Sequence, residues 1–191
     1  MSYYKLNDFP KLKILLDGWE IIRSEALNVP KHYINVNRVN KEHKEVSEEI
    51  LSKIKLTKKN GWVLGWNNRG LPNKKWTQYG IMLDDEETPY SETPKTIELL
   101  KKIGGVKVAA LNALEGESIL GTHTHPEIET ENLAQMHICL DAEDRQSYLC
   151  VDGEFFEYKT GNYVIFNGSR PHFAINAGKQ ERLILYMEFK K

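Results

Sequence analysis

The sequence of 191 residues is poor in several features, and each shortage removes a class of function. It has two cysteines, Cys139 and Cys150, both inside apolar, strand-like runs. Two thiols cannot make a disulfide framework in a chain this long, so buried, reduced cysteines in a cytoplasmic protein are expected. It has almost no net charge, with 26 Lys and Arg against 27 Asp and Glu. That balance gives no electrostatic case for a nucleic-acid or membrane partner. The single basic stretch, residues 54–60, reads as a solvated helix end and loop. No apolar run approaches the length needed to cross a bilayer. The opening Met-Ser-Tyr-Tyr-Lys-Leu-Asn-Asp lacks the basic-then-apolar pattern of a secretory signal. There are no internal repeats, low-complexity segments or convincing linkers. What remains is an ordinary soluble composition, 40% apolar and 28% charged. The length suits one domain over residues 1–191. A cytoplasmic protein with a small-molecule or peptide substrate is the expectation, and the sequence specifies no oligomeric state.

The chain divides by texture into a supporting region, residues 1–105, and a strand-rich region, residues 106–191. In the first, Leu12, Leu15, Leu16, Trp19, Ile22 and Ala26 repeat at helical spacing. A helix over 8–27 follows, with Asp8 as N-cap, Pro10 in its first turn and Pro30 beyond its end. Residues 31–44 read as loop. A second helix is expected over Glu45–Lys55, stopped by Gly61. Short strands Trp62–Trp66 and Trp76–Met82 flank a Gly-Leu-Pro-Asn turn at 70–73. Residues 83–93 are acidic and read as exposed loop. A third helix starts after Thr93 as N-cap and ends at Gly104-Gly105. The loops 31–44 and 67–93 are expected to line an entrance. Trp62, Trp66 and Trp76 read as packing residues, and His32 and His43 as surface residues.

From Val106 the pattern is one of strands: 106–114, 117–123, 133–141, 147–151, 155–158, 162–166, 172–177 and 181–189. About eight short strands with turn signals between them suggest a double-sheet jelly roll. The fold expected is mainly β with N-terminal helices: a double-stranded β-helix, or cupin-like barrel, with two or three packing helices. Two strands are two-faced. Ala134, Met136, Ile138 and Leu140 alternate with Gln135, His137 and Cys139; Leu183, Leu185, Met187 and Phe189 alternate with Arg182, Ile184, Tyr186 and Glu188. Side chains alternate across a strand, so one face is apolar and the other carries His137 and Arg182 into a polar space, the barrel lumen. Burying such groups without a partner is costly.

The chemistry-bearing stretch begins at Gly121-Thr-His-Thr-His-Pro-Glu and ends at Arg182. His123, His125 and Glu127 are spaced i, i+2, i+4 and share a face if one strand runs through them. Two of them with His172 from a neighbouring strand can occupy one face of an octahedral metal and leave positions for substrate and O₂, the arrangement of mononuclear non-haem Fe(II) oxygenases. Lone histidines are usually structural; three with a glutamate, and an arginine ten residues past the last, point to a metal beside an acid-binding cation.

The chain resembles the aspartyl/asparaginyl β-hydroxylase family of Fe(II)/2-oxoglutarate oxygenases. The resemblance runs from Phe9-Pro-Lys-Leu and Gly18-Trp-Glu-Ile-Ile-Arg-Ser-Glu through Trp76-Thr-Gln-Tyr-Gly and Thr93-Pro-Lys-Thr-Ile-Glu-Leu-Leu. It continues to Gly161-Asn-Tyr-Val-Ile-Phe, Pro171-His-Phe-Ala-Ile-Asn and Arg182-Leu-Ile-Leu. It implies a jelly roll that binds Fe(II), 2-oxoglutarate as co-substrate and O₂, and that hydroxylates an amino acid, a peptide side chain or a related small molecule. It implies His172 as the distal iron ligand, Arg182 as partner of the far carboxylate of 2-oxoglutarate, and His137 beside the co-substrate. A planar guanidinium suits that carboxylate because it binds bidentately and stays charged. The family often has arginine two residues before the position of His137. Here Gln135 stands there, so one charge-assisted co-substrate contact is missing. The proximal ligand has two alignments. Distance to His137 and His172 favours His125 with Glu127; the local His-Thr-x-Pro pattern favours His123 with His125. Charge balance at Fe(II) favours His125, Glu127 and His172, with His123 as the alternative third ligand. The C-terminal half also resembles cupins loosely, through His123, His125 and Glu129 and through His172 and Asn176. That resemblance implies a metalloprotein, enzyme or binder, that needs no 2-oxoglutarate.

Overall fold

A computed structural model describes residues 1–66 and 72–191. A two-residue strand β1 (Tyr3–Tyr4) and two 3-10 turns lead into α1 (Lys13–Asp17) and α2 (Trp19–Asn28). Then come α3 (His43–Thr57), β2 (Trp62–Trp66), β3 (Pro72–Leu83), β4 (Glu86–Glu87) and α4 (Pro94–Ile103). The strand-rich region supplies β5 (Val106–Leu114), β6 (Ser118–His123), a short α5 (Glu127–Thr130), β7 (Leu133–Asp141) and β8 (Ser147–Val151). It ends with β9 (Glu154–Glu157), β10 (Tyr163–Phe166), β11 (His172–Asn176) and β12 (Arg182–Lys190).

The pairing is antiparallel throughout the two sheets. The larger has the order β1-β10-β7-β12-β5-β3-β2, with β4 on β3; the smaller has the order β6-β11-β8-β9. Strands β5 to β12 therefore pass back and forth between the sheets, which is the winding of a jelly roll, or double-stranded β-helix. Asp152 and Gly153, both at positive φ (52° and 86°), make the two-residue turn joining β8 to β9, as a hairpin matched to strand twist requires. The eight expected strands of this half are all present, within a residue at each end.

The expected alternation decides the packing. Ala134, Met136, Ile138 and Leu140 of β7 join Leu183, Leu185, Met187 and Phe189 of β12 in one core with Leu12, Leu15, Ile22 and Leu100 from the helices. So α1, α2 and α4 cover the outer face of the larger sheet. The inner face looks at the smaller sheet. Cys139, Leu149, Val151, Tyr158, Val164, Phe166 and Ile184 fill part of that space, and polar side chains occupy the rest. Both cysteines are buried free thiols.

The N-terminal region departs from expectation in instructive ways. The helix over 8–27 is broken at Gly18, where a Cβ would lie 2.7 Å from Leu99 Cδ1 of α4. The missing side chain leaves room for the tip of Leu99, and Gly18 itself (φ −100°, ψ 8°) departs from helical geometry between α1 and α2. Asp8 caps no α-helix; its carboxylate accepts the Lys5 N–H at 2.9 Å in a 3-10 turn. Helix α3 starts at His43, earlier than Glu45, because Glu42 and Glu45 cap each other's backbone. It ends at Thr57, where Lys58 turns left-handed (φ 53°), before Gly61 is reached. Strand β3 begins at Pro72, so the expected turn at 70–73 falls partly in that strand and partly outside the described residues. The acidic loop 83–93 contributes β4. The first 105 residues thus supply four strands to the larger sheet besides covering it.

Thr93 makes no side-chain cap on α4. Glu25 of α2 takes that role: its carboxylate accepts the Lys95 and Thr96 N–H groups at 2.9 and 2.8 Å and the Thr96 hydroxyl at 2.7 Å. A carboxylate at a helix N-terminus satisfies otherwise orphaned donors and meets the positive end of the dipole. Glu25→Ala is expected to lower unfolding free energy by about 1–2 kcal/mol and Glu25→Gln by less, measured by chemical denaturation. An unchanged midpoint in Glu25→Ala would remove the capping role.

Candidate metal and acid-binding site

His123 closes β6 and His172 opens β11, and the two are cross-strand partners. Their ring centroids lie 4.3 Å apart. Beyond His123 the chain leaves the sheet, and the His125 N–H donates to the Gly168 carbonyl at 2.9 Å. That bond brings the His125 ring to 5.2 Å from His123 and 5.4 Å from His172. One ring nitrogen of each histidine then lies within 4.8 Å of the other two.

The hydrogen bonds set the tautomers. His123 Nδ1 contacts the Gly121 carbonyl and His172 Nδ1 the Arg170 carbonyl, both at 2.8 Å; His125 Nδ1 contacts Glu127 Oε1 at 3.0 Å. Carbonyl and carboxylate oxygens only accept, so each Nδ1 is the donor, and in the neutral ring Nε2 is the nitrogen with the lone pair. Oxygen acceptors behind metal-binding histidines orient the rings in the same way. Burial, and then the neighbouring His123, push His172 down to about 3; burial likewise lowers His123. Neutral imidazole is the form a metal needs.

The strand expected to carry His123, His125 and Glu127 on one face does not form. Pro126 has no N–H for a ladder and its backbone (φ −58°, ψ −30°) starts α5. Glu127 therefore turns away and reaches back to His125 Nδ1. A second grouping joins His125, Glu127 and Glu188. Among the described residues, no three-donor grouping combines Glu127 with His172. The favoured set His125, Glu127 and His172 is thus not brought together, whereas His123, His125 and His172 are. Glu129, the carboxylate of the looser cupin pattern, is exposed on α5. Asn176 is structural: its amide donates to the carbonyls of Leu114, Glu115 and Gln180.

Arg182 opens β12 at 2% exposure. Its guanidinium carbon lies 4.7 Å from the centre of the Tyr158 ring. Its Nε and Nη1 have no hydrogen-bond partner, and among the described residues no carboxylate pairs with it. On adjacent β7, His137 Nδ1 meets the Tyr158 hydroxyl at 2.7 Å, while its buried Nε2 has no partner. Burial, and next the Arg182 charge, hold His137 far below its ordinary value, hence neutral. Arg182, His137, Tyr158 and the three histidines face one cavity of about 60 Å³.

Gln135 shares the buried inner face but does not line that cavity. Its Nε2 donates to the Tyr186 hydroxyl at 2.7 Å and to Glu188 Oε1 at 3.2 Å, and the Tyr186 hydroxyl also donates to Glu188. The sequence reading missed Tyr158, Asn112 and Gln78 at the cavity, and took Trp76, which also lines it, as packing. Tyr158 follows β9 and carries no periodic signal. Trp76 and Gln78 lie on a strand placed at the cavity only by pairing with β5. Loop 31–44 borders a separate groove, with Val36, Arg38 and Lys53 on its walls. Residues 67–71 of the other expected entrance loop, and the side chains of Trp66 and His43, lie outside what is described; Trp62 packs at 1% exposure, and His32 is exposed.

A family profile described as aspartyl/asparaginyl beta-hydroxylase matches residues 17–191. No curated protein matches in sequence. Among solved structures, similarity is found to a conserved protein of unknown function from Streptococcus pyogenes (15% identity, TM-score 0.35, covering 44% of this chain and 64% of that one). It is found also to a predicted oxalate decarboxylase from Thermotoga maritima (14% identity, TM-score 0.41, 61% and 81%). A third is the cupin domain of Cnp3 from Schizosaccharomyces pombe (11% identity, TM-score 0.43, 69% and 83%). The chain thus spans under two thirds of the first of these.

A histidine held neutral in the fold costs stability in acid. The unfolded chain takes up a proton near pH 6.5 that the His172 site refuses down to about 3. Stability should therefore fall as pH drops below about 6.5. Between about pH 6.5 and 5 this histidine accounts for up to ~2 kcal/mol. Denaturation of metal-free protein at pH 7.5 and pH 5 should show a smaller loss for His172→Gln than for wild type. Equal losses would show that His172 protonates freely in the fold.

Proposed function

The chain belongs to the aspartyl/asparaginyl β-hydroxylase family, and from that premise we propose that it is an Fe(II)- and 2-oxoglutarate-dependent hydroxylase of an amino acid, a peptide side chain or a related small molecule. The observation that carries this reading is the buried, unpaired guanidinium of Arg182 in the same cavity as three convergent imidazoles. A desolvated cation without a counter-charge is costly, so a site that keeps one suits an anion. Three neutral nitrogens suit a divalent first-row metal and leave coordination positions open for a chelating acid. The groups therefore fit iron and a dicarboxylate together.

On this reading His123, His125 and His172 would hold the ion, and Arg182 would bind the distal carboxylate through its free Nε and Nη1. His137 Nε2, also without a partner, would face the same ligand, with its ring held by Tyr158. Tyr158 lies under the guanidinium and limits its swing. Leu149, Ile184 and Ala174 give that end of the cavity apolar walls, which would strengthen each charge-assisted contact. Trp76 and Gln78, half-buried on β3, would meet the substrate at the mouth. Bound iron with 2-oxoglutarate and O₂ supplies oxidation of a C–H bond coupled to co-substrate decarboxylation.

A second reading has support in two observations. The cavity, about 60 Å³, is small against the ~300–1,000 Å³ of ordinary ligand sites. Gln135 also spends its donors on Tyr186 and Glu188 and offers none to a co-substrate. Both suit a cupin-type metalloprotein that binds one small acid directly and needs no 2-oxoglutarate.

Anaerobic addition of Fe(II) and 2-oxoglutarate separates the two. The hydroxylase reading expects a weak visible metal-to-ligand charge-transfer band; its absence in iron-loaded protein favours the cupin-type site. Arg182→Ala is expected to weaken 2-oxoglutarate binding about 30-fold or more, from the ~2 kcal/mol or more of a buried charged contact, with iron affinity nearly unchanged. Equal 2-oxoglutarate affinity in both proteins would overturn the role of Arg182. His172→Ala should lose iron by elemental analysis.

A further inference from the structure

The three histidines are not held alike. His123 and His172 rest on backbone carbonyls, whereas His125 rests on the Glu127 carboxylate. A second carboxylate, Glu188 on β12, lies 3.8 Å from the same His125 Nδ1. Glu188 is 5% exposed. Among the described residues no lysine or arginine pairs with it. Its Oε1 receives the Tyr186 hydroxyl and the Gln135 amide. These donors orient the carboxylate but bring no positive charge.

The surrounding backbone is shaped to keep this group in place. At Gly168 a Cβ would lie 2.0 Å from Gln135 Oε1, so any other residue there would displace the amide that holds Glu188. The carbonyl of the same glycine accepts the His125 N–H. Gly168 therefore serves both His125 and the side chain that fixes Glu188.

We propose that Glu127 and Glu188 are positioning residues for the metal centre and not ligands, Glu127 by accepting the His125 Nδ1–H and Glu188 by its negative charge 3.8 Å from that atom. The inference rests on the three-histidine reading above. Three neutral imidazoles bring no charge to a divalent ion. A carboxylate accepting Nδ1–H makes the imidazole a stronger donor and fixes its ring. Two carboxylates on that side, one partly exposed and one buried, place the missing negative charge one shell out. A metal beyond His125 in turn supplies the positive charge that Glu188 lacks. Their combined effect is tighter binding and preference for the more highly charged oxidation state.

The test compares wild type with Glu127→Gln, Glu188→Gln and His172→Ala, each loaded with Co(II) or Fe(II). Both glutamine variants keep size and hydrogen bonding and remove the charge. Each is expected to bind one ion per chain with Co(II) visible bands at the wild-type positions. Each should show an affinity lowered about 10- to 100-fold and a raised Fe(III)/Fe(II) midpoint potential. His172→Ala marks the full loss expected of a ligand. If Glu127→Gln loses the ion to that extent, or shifts the Co(II) bands, Glu127 is a ligand and the proposal fails. If either glutamine variant leaves both affinity and potential unchanged, that residue has no positioning role. The underlying reading is checked apart: His123→Ala with wild-type metal affinity would overturn the three-histidine site whatever the glutamates do.

Discussion

Strands β7 and β12 lie side by side in the larger sheet, and their shared pleat is the constraint on which the rest depends. One face of the pair is continuously apolar and is buried by α1, α2 and α4. The other face must then point between the sheets, and it carries Gln135, His137, Arg182, Tyr186 and Glu188. A register slip of one residue would exchange the faces, putting Arg182 under the helices and Leu183 in the cavity. The hydrophobic layer thus does more than stabilise the fold. It aims the cation and the orphaned imidazole at one small space and sets the buried carboxylate behind His125.

The second constraint is the crossing of the chain between sheets. His123 and His172 are 49 residues apart in sequence and meet because β6 and β11 pair in the smaller sheet. Arg182 faces them from the larger sheet. The candidate metal and the candidate acid-binding groups therefore sit on opposite walls. A ligand bridging them would tie the sheets together, which links ligand binding to stability by mass action.

The strands of the C-terminal half were legible because a two-residue period survives in short runs bounded by Gly, Asn and Asp. The two-faced character of β7 and β12 was legible for the same reason, and it correctly put His137 and Arg182 on the inner face. The helical region was less legible. Apolar spacing over 8–27 signals a helix, but not its interruption at Gly18, where Leu99 of α4 packs close. Thr93 stands at the N-cap position of α4 as expected, but the carboxylate that satisfies the first turn comes from the distant Glu25, which no local pattern reveals. At the site, the spacing His123, His125, Glu127 invited a strand reading. Pro126 ends that ladder, and its effect on the direction of Glu127 depends on where α5 packs.

The sequence by itself determined the class of fold, the alternation that builds the two layers, and the residue types of the site: imidazoles, carboxylates and a guanidinium within one stretch. These follow from local periodicity and from side-chain chemistry, which need no partner to be read. Only the tertiary structure decided which histidines converge, that Glu127 stands behind His125, that Gln135 serves Glu188 and not the cavity, and that Tyr158 and Trp76 line that cavity. Those are contacts between elements distant in sequence, set by strand pairing and by the turn at Pro126, and no local pattern encodes them.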